Sequence, residues 1–398
     1  MADLSVWEKE SYFAPRDIVI AGSGLVGLWS AYFLKKRHPA LSIAILERGI
    51  IPSGASTRNA GFACFGSATE LIADTMNLGE DPMLELVEMR YKGLKKIRKI
   101  FGAKTIAYEK QGGYELIAEE QGTDMDILRG NIDRLNRKLK KITGHAKIFR
   151  LHDDKIKEFG FAGIRHLIEN PLEGQLHSGQ LSLALLKEVQ SMGVLVLNNI
   201  SIDHFEKVAD GILLQTTPSA APSAPVPSGP PPRDQRPTQT IPLFAHQLLV
   251  CTNAFARQLL PDLDIRPARG QVLLTSPISN LPFKGAFHFD EGYYYFRNLG
   301  DRVLLGGARN KDFEAEQTFE PVTTDTIQQE LERFLQETIL PGQTYAIEQR
   351  WSGIMGMGTE KMPIIKAVDD NLFCAVRMSG MGVALAPVTA EKVAALMR

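Results

Sequence analysis

Residues 16–49, RDIVIAGSGLVGLWSAYFLKKRHPALSIAILERG, leave this chain few folds to adopt. Ile18, Val19 and Ile20 form a short apolar run that ends in a turn with GxGxxG spacing, and an apolar-periodic segment follows. A second apolar run ends at Glu47, twenty residues after the last glycine of the turn. This order predicts strand, tight turn, helix and strand, as at the start of a parallel sheet covered by helices. An acidic residue at that distance is typical of dinucleotide-binding folds, where it accepts a hydrogen bond from a ribose diol.

The three glycines of the turn are expected to have separate roles. Gly22 permits the tight turn, Gly24 lets a diphosphate approach the backbone, and Gly27 lets the helix pack closely on the strand. The amides at the helix start, at Leu25 and Val26, then stabilise negative phosphate charge. The motif does not distinguish NAD from FAD.

Length and charge limit the class of protein. At 398 residues the chain exceeds the usual size of one hydrophobic core, so two domains are expected. The net charge is −1 and no long basic block occurs, which argues against nucleic acid as a partner. The most basic run, residues 89–102, has apolar residues at helical spacing. We favour an amphipathic helix with a solvated basic face there, a lipid or partner surface being the alternative.

The cysteines and the N-terminus bear on the compartment. Cys64, Cys251 and Cys374 cannot form a disulfide framework, and none belongs to a CxxC pair, so no metal site is expected and a reducing compartment fits. The first residues lack the apolar core of a signal peptide, and no apolar run approaches the roughly 18 residues of a membrane helix. We expect a cytoplasmic location.

Further periodic segments outline the rest of the chain. Helices are predicted at residues 81–102 and 124–142, with a β-hairpin between them at residues 106–120 (IAYEKQGGYELIAEE). Residues 266–310 are predicted to be rich in strands, and a last helix covers residues 383–397.

Residues 218–237 contain eight of the 22 prolines and almost no large apolar side chain. Such a segment cannot bury enough surface to offset the entropy of ordering it. Because it separates two strand-like pieces, we interpret it as an enlarged hairpin loop; a ligand segment for a partner protein is the alternative.

The stretch ERGIIPSGASTRNAGFACFG, residues 47–66, resembles a segment of the D-amino-acid oxidase, glycine oxidase and sarcosine oxidase superfamily of FAD-dependent oxidoreductases. In that superfamily a loop of small residues at this place runs under the flavin. Further blocks resemble the family in the same order: EGQLHSGQLSLALLKEVQSMGVLVLNN, LLVCTNAFARQLLPDLDIRPARGQVLLTS, EGYYYFRNLGDRVLLGGA and RWSGIMGMGTEKMPIIKAVDDNLFCAVRMSGMGVALAPVTAEKVAALM.

The resemblance implies an α/β fold with two domains. A Rossmann-like, discontinuous FAD-binding domain of the glutathione-reductase type would comprise residues 1–84, 146–265 and 346–398, with the proline-rich insertion at 218–240. An α+β substrate domain with a mainly antiparallel sheet would comprise residues 85–145 and 266–345.

The resemblance also implies which residues lie against FAD. Near the phosphates, ribityl chain and ring these are Arg48, Ser56, Thr57, Arg58, Asn59, Ala60, Gly61, Ile200, Thr252, Asn253 and Gly353. A glycine turn before the last helix, at Gly380, Met381, Gly382 and Val383, presents amides that can stabilise negative charge on a reduced flavin.

The reaction implied is hydride transfer from a substrate C–H bond to flavin N5, which oxidises an amine, amino acid or related small molecule. Oxygen, a quinone or a protein would accept the electrons. Leu304 lies where some relatives place a lysine that assists the reaction with oxygen, so both oxidase and dehydrogenase activity remain open. An FAD-binding assembly or electron-relay protein is the alternative function.

The chain departs from the family at the substrate carboxylate. Met355 lies where glycine-oxidase-like members carry a carboxylate-binding arginine, and the position of a second arginine aligns near Gly380. Arg297 and Arg377, like Arg269 and Arg350, are candidates to supply the charge, structural roles being equally open.

Other side chains have open assignments. Tyr293 and Tyr295 share one face of a predicted strand and are expected to face the substrate, an aromatic packing stripe being the alternative. Lys361 is either a cation near the flavin or a solvated lysine. His288 belongs to no local constellation in the sequence.

Overall fold

The computed structural model describes residues 4–219 and 240–397. Most of the proline-rich segment therefore lies outside the described residues. The segments on either side of it, Gly211–Pro218 and Ile241–Val250, pair as antiparallel strands with Thr216 opposite Ile241. The predicted hairpin around the insertion is confirmed.

The strands of the described residues fall into two large sheets and one small one. In chain order they are β1 (Arg16–Ala21), β2 (Ile43–Glu47), β3 (Phe62–Ala63), β4 (Gly113–Ala118), β5 (Arg150–Leu151), β6 (Ile164–Asn170), β7 (Gly174–Gln175), β8 (Leu195–Asn198), β9 (Ile200–Val208), β10 (Gly211–Pro218), β11 (Ile241–Val250), β12 (Arg266–Thr275), β13 (Ala286–Phe289), β14 (Tyr294–Leu299), β15 (Arg302–Gly307), β16 (Ile347–Met357), β17 (Ile364–Asp369) and β18 (Leu372–Val376).

The helices pack on both large sheets and on one another. In chain order they are α1 (Val6–Glu10), α2 (Leu25–Arg37), α3 (Ala55–Arg58), α4 (Ala68–Leu78), α5 (Glu80–Thr105), α6 (Met125–Thr143), α7 (Asp154–Phe159), α8 (Ser178–Ser191), α9 (Asp325–Phe334) and α10 (Gly382–Leu396). Helix α6 begins where Asp124 accepts hydrogen bonds from the amides of Asp126 and Ile127, and it ends at Gly144 in the left-handed conformation.

The first sheet has the order β17–β18–β11–β1–β2–β8, and β10 and β9 extend it from β11. Strands β18, β11, β1, β2 and β8 run parallel. Because both faces of these strands are covered, β2 is buried at every position, which explains the continuous apolar runs in the sequence. Helix α10 packs on α2 and α5 so closely that a Cβ at Gly93 would lie 1.9 Å from the Ala384 carbonyl oxygen.

The second sheet has the order β16–β12–β15–β14–β13–β4–β6–β5 and is antiparallel except for the β13–β4 pair. Its apolar face packs against α7, α9 and loops around an aromatic cluster that contains Phe161, Phe283, Phe287 and Phe296. A parallel sheet with helices and a mainly antiparallel second sheet are the predicted fold class.

One prediction about strand pairing is wrong. Residues 106–120 form no hairpin: only β4 is a strand there, and it pairs with β13 and β6 from distant parts of the chain. Strands β5, β6 and β16 pair within the second sheet. Strand β4 finds its partners far away in sequence, which local turn signals do not report.

Within residues 4–219 and 240–397, no helix is both long and apolar enough to cross a membrane.

Candidate active site

One deep cavity of about 800 Å³ runs from the carboxyl ends of the parallel strands to the face of the second sheet. Ala21, Glu47 and Cys251 line it at the ends of β1, β2 and β11, while Tyr295 of β14 lines it from the opposite side. The crevice at the carboxyl ends of parallel strands is where α/β folds bind ligands. The volume lies in the upper part of the range of about 300–1,000 Å³ for small-molecule sites.

The glycine turn has the geometry that its spacing predicts. Gly22 has φ of +97°, which only glycine adopts without strain, and a Cβ at Gly27 would lie 2.0 Å from the Gly22 carbonyl oxygen. Gly27 therefore packs the start of α2 against the turn and does not line the cavity, whereas Gly22, Gly24, Leu25 and Val26 do. The N-cap residue of α2 is Gly24, which has no side chain to accept a hydrogen bond from the first amides of the helix. The Leu25 amide donates instead to Ser56 Oγ at 2.9 Å.

Glu47 stabilises the turn and lines the cavity. Its Oε2 accepts hydrogen bonds from the Ser23 amide at 3.0 Å and the Ser23 hydroxyl at 2.9 Å, and its Oε1 accepts from the Gly49 amide at 2.8 Å. These bonds hold the Glu47 side chain in place at the end of β2, where the residue is 8% exposed.

Residues 53–62, the small-residue loop, form one wall of the cavity, and their polar side chains hold the shape of the loop. Asn59 Oδ1 accepts from the Gly61 amide at 2.8 Å, and its Nδ2 donates to the Ser56 carbonyl at 2.8 Å. Arg58 donates to the Ser352 carbonyl at 2.8 Å, and Thr57 points away from the cavity and donates to the Pro52 carbonyl at 2.6 Å.

Arg297 supports the small-residue loop from behind. Its Nη1 donates to the carbonyl oxygens of Ala60 at 3.2 Å, Gly61 at 3.1 Å and Leu176 at 2.8 Å. The side chain is buried and does not line the cavity. The structure therefore gives Arg297 a place under the loop and does not bring it to the substrate side, where we expected it.

The start of α10 forms another wall. Gly380 has φ of +81°, and the N-cap Met381 forms no side-chain hydrogen bond with the first turn of the helix. Ser379 Oγ and Thr252 Oγ1 are buried and have no hydrogen-bond partner among the described residues, and both residues line this cavity. Buried polar groups without hydrogen-bond partners are unfavourable. The free helix amides and the two unpaired hydroxyls therefore fit a long polar ligand such as FAD, which could form hydrogen bonds with them in this glycine-lined space.

Tyrosines line the far end of the cavity. Tyr293 and Tyr295 both face it, as their shared strand face predicts, while Tyr294 points to the opposite face and donates to Glu330. Burial raises the pKa of Tyr295 to about 12, so its hydroxyl is a neutral hydrogen-bond donor. Met355 also lines this end of the cavity. Its Sδ lies beside Gly380, where an added Cβ would be 3.5 Å from the sulfur.

Arg309 is a cavity residue that the sequence analysis missed. It lies in a 3₁₀ turn at Arg309–Lys311, directly after β15, and its guanidinium is 4.7 Å from the ring centre of Phe313. Among the described residues it forms neither an ion pair nor a hydrogen bond through its side chain. Burial lowers its pKa, but a guanidinium stays protonated in proteins. No motif surrounds Arg309, so only its position after a strand that bears the cavity could have indicated it.

The other arginines considered from the sequence are bound elsewhere. Arg377 donates to Asp264 Oδ2 at 2.7 Å and to the Met362 carbonyl at 2.8 Å, and it does not line the cavity. Arg269 forms a buried two-bond pair with Glu316. Arg350 pairs with Glu332 at the surface. The expectation that Arg377 contacts substrate is not met, because its side chain fastens the loop before β17.

Lys361 and two acidic residues line the wall beside α4. Lys361 Nζ lies 2.5 Å from Asp74 Oδ1 and 3.6 Å from Glu70 Oε1, so it is a paired cation on the cavity wall. Burial alone would raise the pKa of Glu70, but the charges of Arg90 and Lys361 outweigh this and hold that pKa at about 2.

Most residues expected to contact FAD thus line one cavity. The predicted positions on its wall are Gly22, Gly24, Leu25, Val26, Glu47, Arg48, Ser56, Arg58, Asn59, Ala60, Gly61, Ile200, Thr252, Asn253, Gly353, Gly380, Met381, Gly382 and Val383.

Comparison with known proteins points the same way. The sequence model of a family described as FAD dependent oxidoreductase (DAO) matches residues 17–396. Over 190 residues the chain is 28% identical to the mitochondrial L-2-hydroxyglutarate dehydrogenase of Bos taurus, an alignment that covers 48% of this chain and 38% of that protein. A 48-residue segment is 48% identical to the thiamine thiazole synthase of Yarrowia lipolytica (strain CLIB 122 / E 150), covering 12% of this chain and 15% of that one. The matches thus span well under half of these relatives.

Solved structures share the fold over nearly the whole chain. The L-proline dehydrogenase from P. horikoshii has a TM-score of 0.73 at 18% identity and covers 96% of this chain and 93% of its own. The glycine oxidase from Geobacillus kaustophilus has a TM-score of 0.73 at 18% identity, with 96% and 94% covered. The L-amino acid deaminase from Proteus vulgaris has a TM-score of 0.70 at 20% identity, with 96% and 90% covered.

Proposed function

The chain belongs to the family of FAD-dependent oxidoreductases, and from that premise we propose that it oxidises a small amino acid or 2-hydroxy acid whose carboxylate is bound by Arg309. The observation that carries this proposal is the single cavity that joins the glycine turn at Gly22 and Gly24 to Tyr293, Tyr295 and Arg309. A dinucleotide and a small molecule can therefore share one enclosed space.

The residues at the glycine end would hold the cofactor. The start of α2 faces the expected diphosphate, Glu47 the adenosine ribose, and the small-residue loop together with Gly380–Val383 the flavin. Bound FAD supplies the two-electron acceptor for a hydride from the substrate.

The protein's own contribution at the other end is binding and orientation. Arg309 offers a planar donor fork suited to a carboxylate, and its partial burial strengthens such a pair relative to one in water. The neutral Tyr295 hydroxyl can donate a further hydrogen bond, and Met355 and Tyr293 exclude water from the space between. A fixed substrate orientation is the main requirement for this class of reaction.

The substrate class follows from two points. The named relatives act on proline, glycine, L-amino acids or 2-hydroxyglutarate, all of which carry a carboxylate. The family position for a carboxylate-binding arginine holds Met355 here, and Arg309 is the cation at the tyrosine end of the cavity among the described residues. The proposal about the substrate does not depend on whether oxygen, a quinone or a protein accepts the electrons from FAD.

Anaerobic mixing tests the proposal. Purified FAD-loaded protein is combined with matched pairs that differ only by a carboxylate, such as L-proline and pyrrolidine or glycine and methylamine, and with 2-hydroxy acids. We expect at least one carboxylate member to bleach the flavin absorbance while its partner without a carboxylate does not. Equal bleaching by both members would refute the role of Arg309. No bleaching by any member would favour the electron-relay alternative.

A further inference from the structure

Three side chains with metal-binding atoms meet beneath the small-residue loop. Ligand atoms of Cys64, Glu173 and His288 all lie within 4.8 Å of one another, and all three residues are buried. They come from distant parts of the chain: Cys64 follows β3, Glu173 precedes β7, and His288 lies on β13 of the second sheet. We call these residues the Cys–Glu–His cluster.

The carboxylate of the Cys–Glu–His cluster is held in a fixed position. Glu173 Oε1 accepts hydrogen bonds from the amides of Phe65 at 2.7 Å and Gly66 at 3.3 Å. The second carboxylate oxygen, Oε2, lies against Gly113. A Cβ at residue 113 would lie only 2.0 Å from it, so this position of Glu173 requires a glycine there. Hydrogen bonds to one oxygen of a ligating carboxylate orient metal ligands in known sites.

The imidazole of the cluster has an unsatisfied nitrogen. His288 is 7% exposed, and its Nε2 is buried without a hydrogen-bond partner among the described residues. Phe62 packs edge-on against the ring, with 5.2 Å between ring centres, which fixes the plane of the imidazole. Leaving a buried nitrogen unpaired costs about 1–3 kcal/mol, so a ligand for it is expected.

Charge balance also favours a cation. The two nearby cations are already paired, Arg90 with Glu70 and Lys361 with Asp74. Within the part of the chain that the structure describes, Glu173 has no ion pair. A divalent cation bound by one thiolate, one carboxylate and a neutral imidazole would make the group neutral.

We propose that Cys64, Glu173 and His288 bind one divalent transition-metal ion, with zinc as the best match. Zinc takes sulfur, imidazole nitrogen and carboxylate oxygen together, whereas calcium and magnesium select oxygen alone. Three protein ligands leave one coordination position for water. The ion would connect the small-residue loop to the second sheet, and so fix one wall of the cavity to the other.

Metal content and the identity of the ligands test the site directly. Full-length FAD-loaded protein is treated with a chelator, equilibrated with buffered Zn²⁺ and measured by inductively coupled plasma mass spectrometry. We expect close to one zinc per chain and, by X-ray absorption spectroscopy, one sulfur ligand at about 2.3 Å. A content well below one, or a bound zinc without sulfur, would overturn the proposal.

Variants confirm which residues bind. Glu173→Gln retains an oxygen for the Phe65 and Gly66 amides, so it separates metal binding from folding. We expect Glu173→Gln and Cys64→Ser to weaken zinc binding by at least about 100-fold, because supporting residues alone contribute about 10- to 100-fold. Cys374→Ser is the matched control, since Cys374 is also a buried free cysteine but lies on β18. Unchanged zinc affinity in Glu173→Gln, or equal loss in Cys374→Ser, contradicts the site; FAD content reports folding in each variant.

Discussion

At its glycine end the cavity is lined largely by backbone, whereas at its tyrosine end it is lined by side chains from the second sheet. Gly22, Gly24 and Gly380 bring main-chain groups to the surface of the cavity, while Tyr293, Tyr295 and Arg309 reach it from strands and a turn. The first kind of wall depends on local conformation, and at positions such as Gly61 it leaves no room for a Cβ. The second kind depends on how distant strands pair, so its side chains can be exchanged without loss of the fold.

The largest effect is expected at the backbone wall. Gly61 has φ of +74°, and a Cβ there would lie 2.3 Å from the Leu176 carbonyl oxygen and 2.7 Å from Arg297 Nη1. Gly61→Leu should therefore abolish FAD retention, measured by flavin absorbance after gel filtration. Gly54→Ala in the same loop should retain FAD, since nothing lies within 4 Å of a Cβ there. Glu47→Ala should weaken FAD retention without abolishing it. If Gly54→Ala or Glu47→Ala lost FAD as completely as Gly61→Leu, the assignment of the loop would be contradicted.

The next effect concerns the support of the tyrosine end. Glu316 pairs with buried Arg269, and the Glu316 carbonyl also accepts the Arg269 amide at 2.7 Å, which fastens the segment after Arg309 to β12. Glu316→Gln should lower the free energy of unfolding by about 3–5 kcal/mol, because it leaves a buried guanidinium unbalanced.

Urea unfolding measures this loss. Glu332→Gln, which breaks the surface pair with Arg350, is the control and should change stability by less than about 1 kcal/mol. Equal effects of the two substitutions would show that the buried pair does not stabilise this end of the cavity.

A change of a cavity side chain should affect catalysis and not stability. Arg309→Met should lower kcat/KM for the carboxylate substrate about 100-fold, since hydrogen bonds to charged groups are worth about 1.5–3 kcal/mol each. FAD content and the free energy of unfolding should stay unchanged. The exposed Lys311, two residues away, provides the control Lys311→Gln, which should retain full activity. A loss of FAD in Arg309→Met would mean that the two ends of the cavity are not separable.

The smallest effect is expected at the edge of the second sheet, far from the cavity. Burial tends to raise the pKa of Glu169, but hydrogen bonds from Lys155, Arg150 and His152 outweigh it and lower that pKa from 4.5 to about 2. Because the folded-state pKa is depressed, this stabilisation is complete above about pH 4.5 and is lost as the pH falls toward about 2.

Glu169→Gln should therefore reduce stability at pH 7 and reduce the decline in stability between pH 4.5 and 2. The change at pH 7 should be smaller than that of Glu316→Gln, because Arg150 and His152, two partners of Glu169, are partly exposed. Urea unfolding across this pH range measures it, with the exposed Glu158→Gln as control. An unchanged acid dependence would show that the Glu169 cluster adds nothing to folding.

The sequence predicted the parts of the fold that are contiguous in the chain. The structure contains the predicted strand–turn–helix at residues 16–37 and the predicted helix at Met125–Thr143. It also places Tyr293 and Tyr295 on the same side, facing the cavity, as predicted. The predicted hairpin at residues 106–120 was wrong, because β4 pairs with β13 and β6 instead of with its neighbour.

Among the side chains, Arg297 and Arg377 were plausible from their positions near the family's motifs. The structure shows that one supports the small-residue loop and the other binds Asp264. Arg309 carries no motif and was missed. A sequence shows which residues are charged, but the direction in which a charged side chain points depends on how the surrounding strands pair.

The sequence alone determined the first strand–turn–helix–strand unit, with its glycine turn and the acidic residue at the end of β2. These features depend on backbone conformations and spacings within about 30 residues, as in a βαβ unit, and local interactions decide them. Only the tertiary structure decided that Arg309 faces the cavity, and that Cys64, Glu173 and His288 meet. Their meeting depends on the pairing of β3 with β7 and of β13 with β4, between residues more than 100 positions apart, and no local pattern encodes such a register.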